Sequence, residues 1–105
     1  QQYTQLSCEY CVSKIQIQFM KISAELTLTP LKEDFEPPIK AFIKTLRDSN
    51  FVVLENPLST QIYGDYDALM KFLTDSIKAV FEKEAAVVLT LKLIKGDRSN
   101  YVPSF

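Results

Sequence analysis

From Met20 to Thr29 apolar and polar residues alternate: Ile22, Ala24, Leu26 and Leu28 fall on one side, Ser23, Glu25, Thr27 and Thr29 on the other. A period of two marks a strand with one covered face, and Pro30 ends it. Ile15, Ile17 and Phe19 also alternate, but in the opposite phase, so a bulge or a second strand is expected at Phe19–Met20. The period then changes. Phe35, Ile39, Phe42, Ile43 and Leu46 recur at helical spacing, with Lys40, Lys44 and Arg47 on other faces. Asp34 is placed to cap this helix, Pro37 and Pro38 suit a first turn whose amides are unpaired anyway, and Asn50 is a candidate left-handed stop. Phe51 to Leu54 and Leu58 to Tyr63 read as strands, and the short break at Asn56-Pro57 predicts an antiparallel hairpin. Gly64 closes it and Asp65 is placed to cap a second helix. The expected buried stripe of that helix is Tyr66, Leu69, Met70, Leu73, Ile77, Val80 and Phe81. Ala86 to Lys95 is the last strand; Gly96-Asp97 ends it and a polar tail runs to Phe105.

The order β-α-β-β-α-β predicts an α+β, ferredoxin-like sandwich, an antiparallel sheet with both helices on one face. Residues 20–105 form the expected domain, and residues 1–19 a lead that can extend the first strand. Two helices leave the second sheet face to water, to a partner or to a ligand. Ser23, Glu25, Thr27 and Thr29 of the first strand point there, with Ser59, Gln61 and Tyr63 of the third and Thr90 and Lys92 of the last. A one-residue slip reverses a strand, so Thr60 is an alternative to Ser59. A carboxylate, hydroxyls, an amide, an aromatic ring and an ammonium together suit a small polar heteroaromatic ligand. The simpler alternative is a solvated face on which Glu25 pairs with Lys92 across strands.

Composition narrows the chemistry. The 105 residues carry 12 Lys+Arg against 13 Asp+Glu, a net charge of −1, which counts against binding nucleic acid or a membrane surface by bulk charge. There is no His, which removes the commonest general base and metal ligand together. Cys8 and Cys11 form one C-x-x-C pair, too few ligands for a structural zinc site. An incidental thiol pair or local disulfide, a redox dithiol and a metal site shared between chains all stay open. No apolar run reaches the ~20 residues of a membrane span. Gln1 to Gln5 show no basic segment ahead of an apolar one, so no signal peptide is expected, and a cytoplasmic protein is.

The wording of the chain adds a resemblance. Ile22 to Leu31 (ISAELTLTPL), with Asp34-Phe35 after it and Pro38-Ile39 opening the helix, resembles the first half of the YkoF-like thiamine/hydroxymethylpyrimidine-binding family. Leu58 to Asp65 (LSTQIYGD) is similar to its second signature, a Ser-Thr pair and then a Gly that leads into the second helix. The likeness spans about Met20 to Lys95. It implies a ferredoxin-like, non-catalytic binder of thiamine or its hydroxymethylpyrimidine half, serving transport or salvage, with no cofactor and no metal. Some members of the family hold two such domains in one chain. A single-domain chain is therefore expected to form a homodimer or homotetramer through sheet faces and edges.

On that resemblance, Glu25 would accept from the pyrimidine amino group or offset the thiazolium charge, and Ser59 and Thr60 would bond ring nitrogens or the hydroxymethyl group. Ser23 and Thr27 would flank Glu25, and Tyr63 would stack on the ring. Tyr63 also fits a plain strand end, and Thr60 a core-side threonine satisfied by backbone. Two other classes compete: a small-molecule-sensing regulatory module, and a ferredoxin-like oligomeric enzyme. A phosphate-handling enzyme of this size would need an Arg over a phosphate loop, and the chain offers only Arg47 and Arg98. The chain has two Gly and no glycine-rich loop, which weighs against a diphosphate ligand.

Overall fold

The alternation of the first strand sets the floor of the core. In a computed structural model, which describes residues 20–104, the elements are β1 (Lys21–Pro30), α1 (Glu36–Arg47), β2 (Val52–Glu55), β3 (Thr60–Asp65), α2 (Tyr66–Lys83) and β4 (Val87–Lys95). The expectations for Cys8, Cys11 and the Ile15–Phe19 alternation lie outside the described residues. The four strands form one sheet in the order β2-β3-β1-β4, every neighbouring pair antiparallel. This is the ferredoxin-like α+β fold.

Ile22, Ala24, Leu26 and Leu28 of β1 are buried beside Ile62 of β3, and Phe42 and Leu46 of α1 and Leu69, Leu73 and Val80 of α2 close over them. Leu46, Ile62, Leu69 and Leu73 are sealed from water, each burial favouring the fold by about 1.5–3 kcal/mol. The stripe of α2 differs from the expected one. Leu69, Leu73, Ser76 and Val80 are its buried residues, while Tyr66 and Phe81 are exposed. Phe81 lies about 100° around the helix from Val80 and so leaves the covered face.

Three expected helix signals work differently. Asp34 does not cap α1; Phe35 holds the cap position and no side chain bonds the first turn. Pro37 and Pro38 carry no N–H, so fewer donors there need a partner. The helix stops at Arg47, with Asp48 still right-handed, ahead of Asn50. Ser49 secures that end: its hydroxyl donates to Leu46 O (2.6 Å) and accepts from Phe51 N–H (3.3 Å). Asp65 does not cap α2 through its side chain but forms an ion pair with Lys21 (2.9 Å), its partner across the β1–β3 ladder.

Gly64 lies inside β3 on the helix side, opposite Ile22. A Cβ there would stand 2.5 Å from Cδ1 of Phe51, whose ring sits 5.5 Å from that of Phe72. The glycine thus makes room for an aromatic side chain.

Candidate functional site on the open sheet face

Register decides which side chains meet. Ser23 pairs with Tyr63 and Ile94, Glu25 with Gln61 and Lys92, and Thr27 with Thr90. Because side chains alternate, these all share the face away from the helices. Thr60 pairs with Leu26 and so points the other way, into the helix side, where it is 7% exposed. The structure therefore corrects the sequence expectation for Thr60, since one residue of strand phase separates it from Glu25. Ser59 is the hydroxyl that reaches the open face.

The turn before β3 fixes that phase. Asn56 Oδ1 accepts from the N–H groups of Leu58 (2.9 Å) and Ser59 (3.0 Å), and Asn56 N–H donates to Ser59 O (3.1 Å). This is an Asx-type turn, the reason Asn serves so well at such positions. From it a chain of polar groups runs to Glu25. Asn56 Nδ2 donates weakly to Gln61 Oε1 (3.4 Å), Gln61 Nε2 to Ser59 Oγ (2.7 Å), and Ser59 Oγ to Glu25 Oε2 (2.9 Å). Among the described residues, the second carboxylate oxygen, Oε1, has only the Lys92 ammonium, at 3.8 Å. One oxygen of Glu25 is thus oriented from behind, and the other remains open to a further donor.

Ser23, Glu25 and Tyr63 line a concavity of ≈ 110 Å³, together with Gln61, Lys92, Ile94 and Arg98. Thr27 lies one rung beyond it, its hydroxyl directed to Leu58 O at 3.4 Å. Tyr63 is only 7% exposed. Burial raises its phenol pKa above the usual 10.0, and the negative charges of Asp97 and Glu25 add to the rise.

The wall beside Tyr63 comes from the tail. Gly96 adopts φ = 105°, which a glycine enters without strain, and its N–H donates to Lys21 O (2.7 Å). Ser23 Oγ then donates to Gly96 O (2.8 Å) and accepts from Arg98 N–H (2.9 Å). Asp97 Oδ1 accepts from Ser99 N–H (2.8 Å); its bonds with Ser99, and then the charge of Lys21, hold the Asp97 carboxyl below its usual range. The sequence suggests a ligand contact for Ser23, but its hydroxyl is engaged in folding the tail back.

Alternation already places Gln61 and Lys92 on this face, as its amide and its ammonium, and the lining of the concavity includes both. Arg98 carries no signal, because a turn at Gly96-Asp97 predicts where the strand ends and not the direction in which the tail leaves it.

Other concavities lack such convergence. One of ≈ 100 Å³ between the helices is lined by Pro38, Phe42, Ser76 and Val80, largely apolar groups. One of ≈ 460 Å³ on α1 is lined by Lys40, Ile43, Lys44, Arg47 and Asp48. Two of its three cations are engaged, Lys44 with Asp48 (3.2 Å) and Arg47 in a two-pronged contact with Glu55 (2.6 and 2.8 Å). Among the described residues no group of three or more metal-ligating side chains occurs, and no helix is long and apolar enough to cross a membrane.

Comparison with solved structures agrees with the topology. A Streptococcus pneumoniae protein is similar at 24% identity with a TM-score of 0.69, over 74% of this chain and 89% of that one. A hypothetical protein of Methanocaldococcus jannascii is 24% identical with a TM-score of 0.61, over 78% and 84%. A Thermotoga maritima protein, named as a candidate thiamine biosynthesis/salvage protein, is 15% identical with a TM-score of 0.66, over 78% and 89%. At these identities the likeness speaks for the fold. No curated protein sequence matches the chain. The family model for thiamine-binding proteins, however, matches residues 24–100, from the centre of β1 through the tail that walls Tyr63. The chain belongs to the thiamine-binding protein family.

Proposed function

We propose that this protein binds thiamine or its hydroxymethylpyrimidine moiety on the open sheet face, holding it without chemical change for transport or salvage. The observation that carries this reading is the Glu25 carboxylate, with Oε2 fixed by Ser59 and Oε1 open beside the concavity. The aminopyrimidine offers a donor N–H₂ to Oε1, and a charge-assisted bond of this kind contributes about 1.5–3 kcal/mol. Tyr63 forms part of the wall against which the ring rests, and Lys92 steadies the carboxylate from the opposite side. Ser59 acts by orienting Glu25; Ser23 acts by holding the tail. Membership in a thiamine-binding family and the salvage-related name of the Thermotoga maritima neighbour support the same reading. A second copy of the chain completes the cover of the sheet.

Titration calorimetry with thiamine, hydroxymethylpyrimidine and a panel of amino acids tests it. Saturable heat is expected with at least one of the two vitamin-related compounds and none with the amino acids. No heat with either compound would overturn the reading, and saturation by an amino acid alone would favour a sensing module.

A further inference from the structure

Arg98 brings a cation to the lining of the concavity. Lys21, Lys44, Arg47 and Lys92 each face a carboxylate, whereas the Arg98 guanidinium has no such partner among the described residues. Its neighbour Asp97 turns instead to Ser99 N–H. Yet the backbone of Arg98 is not loosely placed. The buried Ser23 hydroxyl, 6% exposed with its residue, bridges Gly96 O and Arg98 N–H and sets the residue at the rim of the concavity. Lys92 lies 3.8 Å from Glu25 Oε1, which leaves Arg98 as the lining cation with no carboxylate within salt-bridge distance among the described residues.

Glu25 and Arg98 both line the concavity, and the Arg98 backbone is tied to Ser23. Glu25 and Ser23 are two residues apart on β1, which separates their side chains by about 7 Å along the strand. A heteroaromatic ring with one short substituent spans such a gap. We propose that Arg98 reads an anionic substituent at the far end from Glu25, so that the site prefers a monophosphate ester of its pyrimidine ligand over the free alcohol. The inference rests on the binding reading above. A guanidinium presents a planar fork of donors that matches two phosphate oxygens at once, so a single Arg serves a monoester without a glycine-rich cradle. Ser23 is a positioning residue for this contact.

The test compares affinities within two ligand pairs: hydroxymethylpyrimidine against its monophosphate, and thiamine against thiamine monophosphate. In each pair that binds, the ester is expected to bind about tenfold or more tightly, with the preference shrinking as salt rises, since Arg98 is exposed. Arg98→Gln should abolish the preference, lowering the affinity for the ester by about tenfold or more and that for the free alcohol far less, and Arg98→Lys should restore part of it. Ser23→Ala, checked for folding by circular dichroism, should lower the preference more than the affinity for the alcohol. Equal binding of alcohol and ester, or a preference that survives Arg98→Gln, overturns the anion subsite and leaves the binding function standing. Failure of all four compounds to bind overturns both.

Discussion

Glu25 sits where a strand position, a turn and a neighbouring strand converge, and its neighbours fix how it can act. Ser59 holds Oε2 and Lys92 stays at 3.8 Å from Oε1, too far for a strong pair. Surface pairs of this kind contribute little to stability, so removing the charge of Glu25 costs the fold little. Glu25→Gln keeps the shape and loses the charge. The expected result is a drop of about tenfold or more in ligand affinity by calorimetry, with a melting temperature within a degree or two of the parent. Unchanged affinity would return Glu25 to a plain cross-strand ion pair. Tyr63 gives a second test through pH. Its folded-state pKa is raised, first by burial and then by Asp97 and Glu25. The folded state therefore holds the phenolic proton more tightly than the unfolded state does. Its contribution is complete below the unfolded value near 10.0 and is lost as pH rises through the higher folded value. Denaturant unfolding from pH 8 to 11 should show the parent losing stability relative to Tyr63→Phe only above about pH 10. Parallel curves across that range would mean the phenol ionises freely in the fold.

Among the elements, β1 is the most legible in the sequence, because its strict alternation names both faces at once: Ile22, Ala24, Leu26 and Leu28 toward the helices, Glu25 and Thr27 away. β3 is half legible. Ser59, Gln61 and Tyr63 share a face as alternation predicts, but Thr60 can be placed only once the Asn56 turn fixes the phase. The tail is illegible, since its return over Ser23 depends on hydrogen bonds between residues more than seventy positions apart. Helix caps mislead for a simpler reason: Asp34 and Asp65 have the right chemistry, but prolines thin out the donors at one site and Lys21 claims the carboxylate at the other. Gly64 looks like punctuation between strand and helix. Its role is space for Phe51, which wedges between β3 and Phe72 of α2. Gly64→Ala places a methyl against a ring held on both sides, so a loss of about 1–3 kcal/mol is expected in urea unfolding. A loss below about 0.5 kcal/mol would show that the Phe51 ring yields freely.

For the whole molecule, the edge strand β4 raises the question of what covers it. It pairs with β1 alone among the described strands, and β1 shields one of its two edges. Leu91 and Leu93 pair with Leu26 and Ala24 and so face the helix side, yet they remain 37% and 43% exposed. On the opposite side Val88 and Ile94 are exposed as well. A nine-residue edge strand with apolar side chains on both faces invites pairing with another chain, because the N–H and C=O groups on its far edge, unpaired among the described residues, and its side chains both gain partners there. The expected occupant is a second copy, which extends or covers the sheet and brings two concavities into one assembly. Light scattering at micromolar concentration should give a multiple of the 12.0 kDa chain mass. Leu91→Lys with Leu93→Lys places two charges on positions that water already reaches, so the single chain should keep its helix and strand content by circular dichroism. The scattering mass should fall toward one chain. If ligand affinity falls with it by about tenfold or more, the partner copy contributes to the site; if affinity holds, each chain binds on its own. A parent protein that scatters as one chain at all concentrations would sink the assembly, whatever the ligand result.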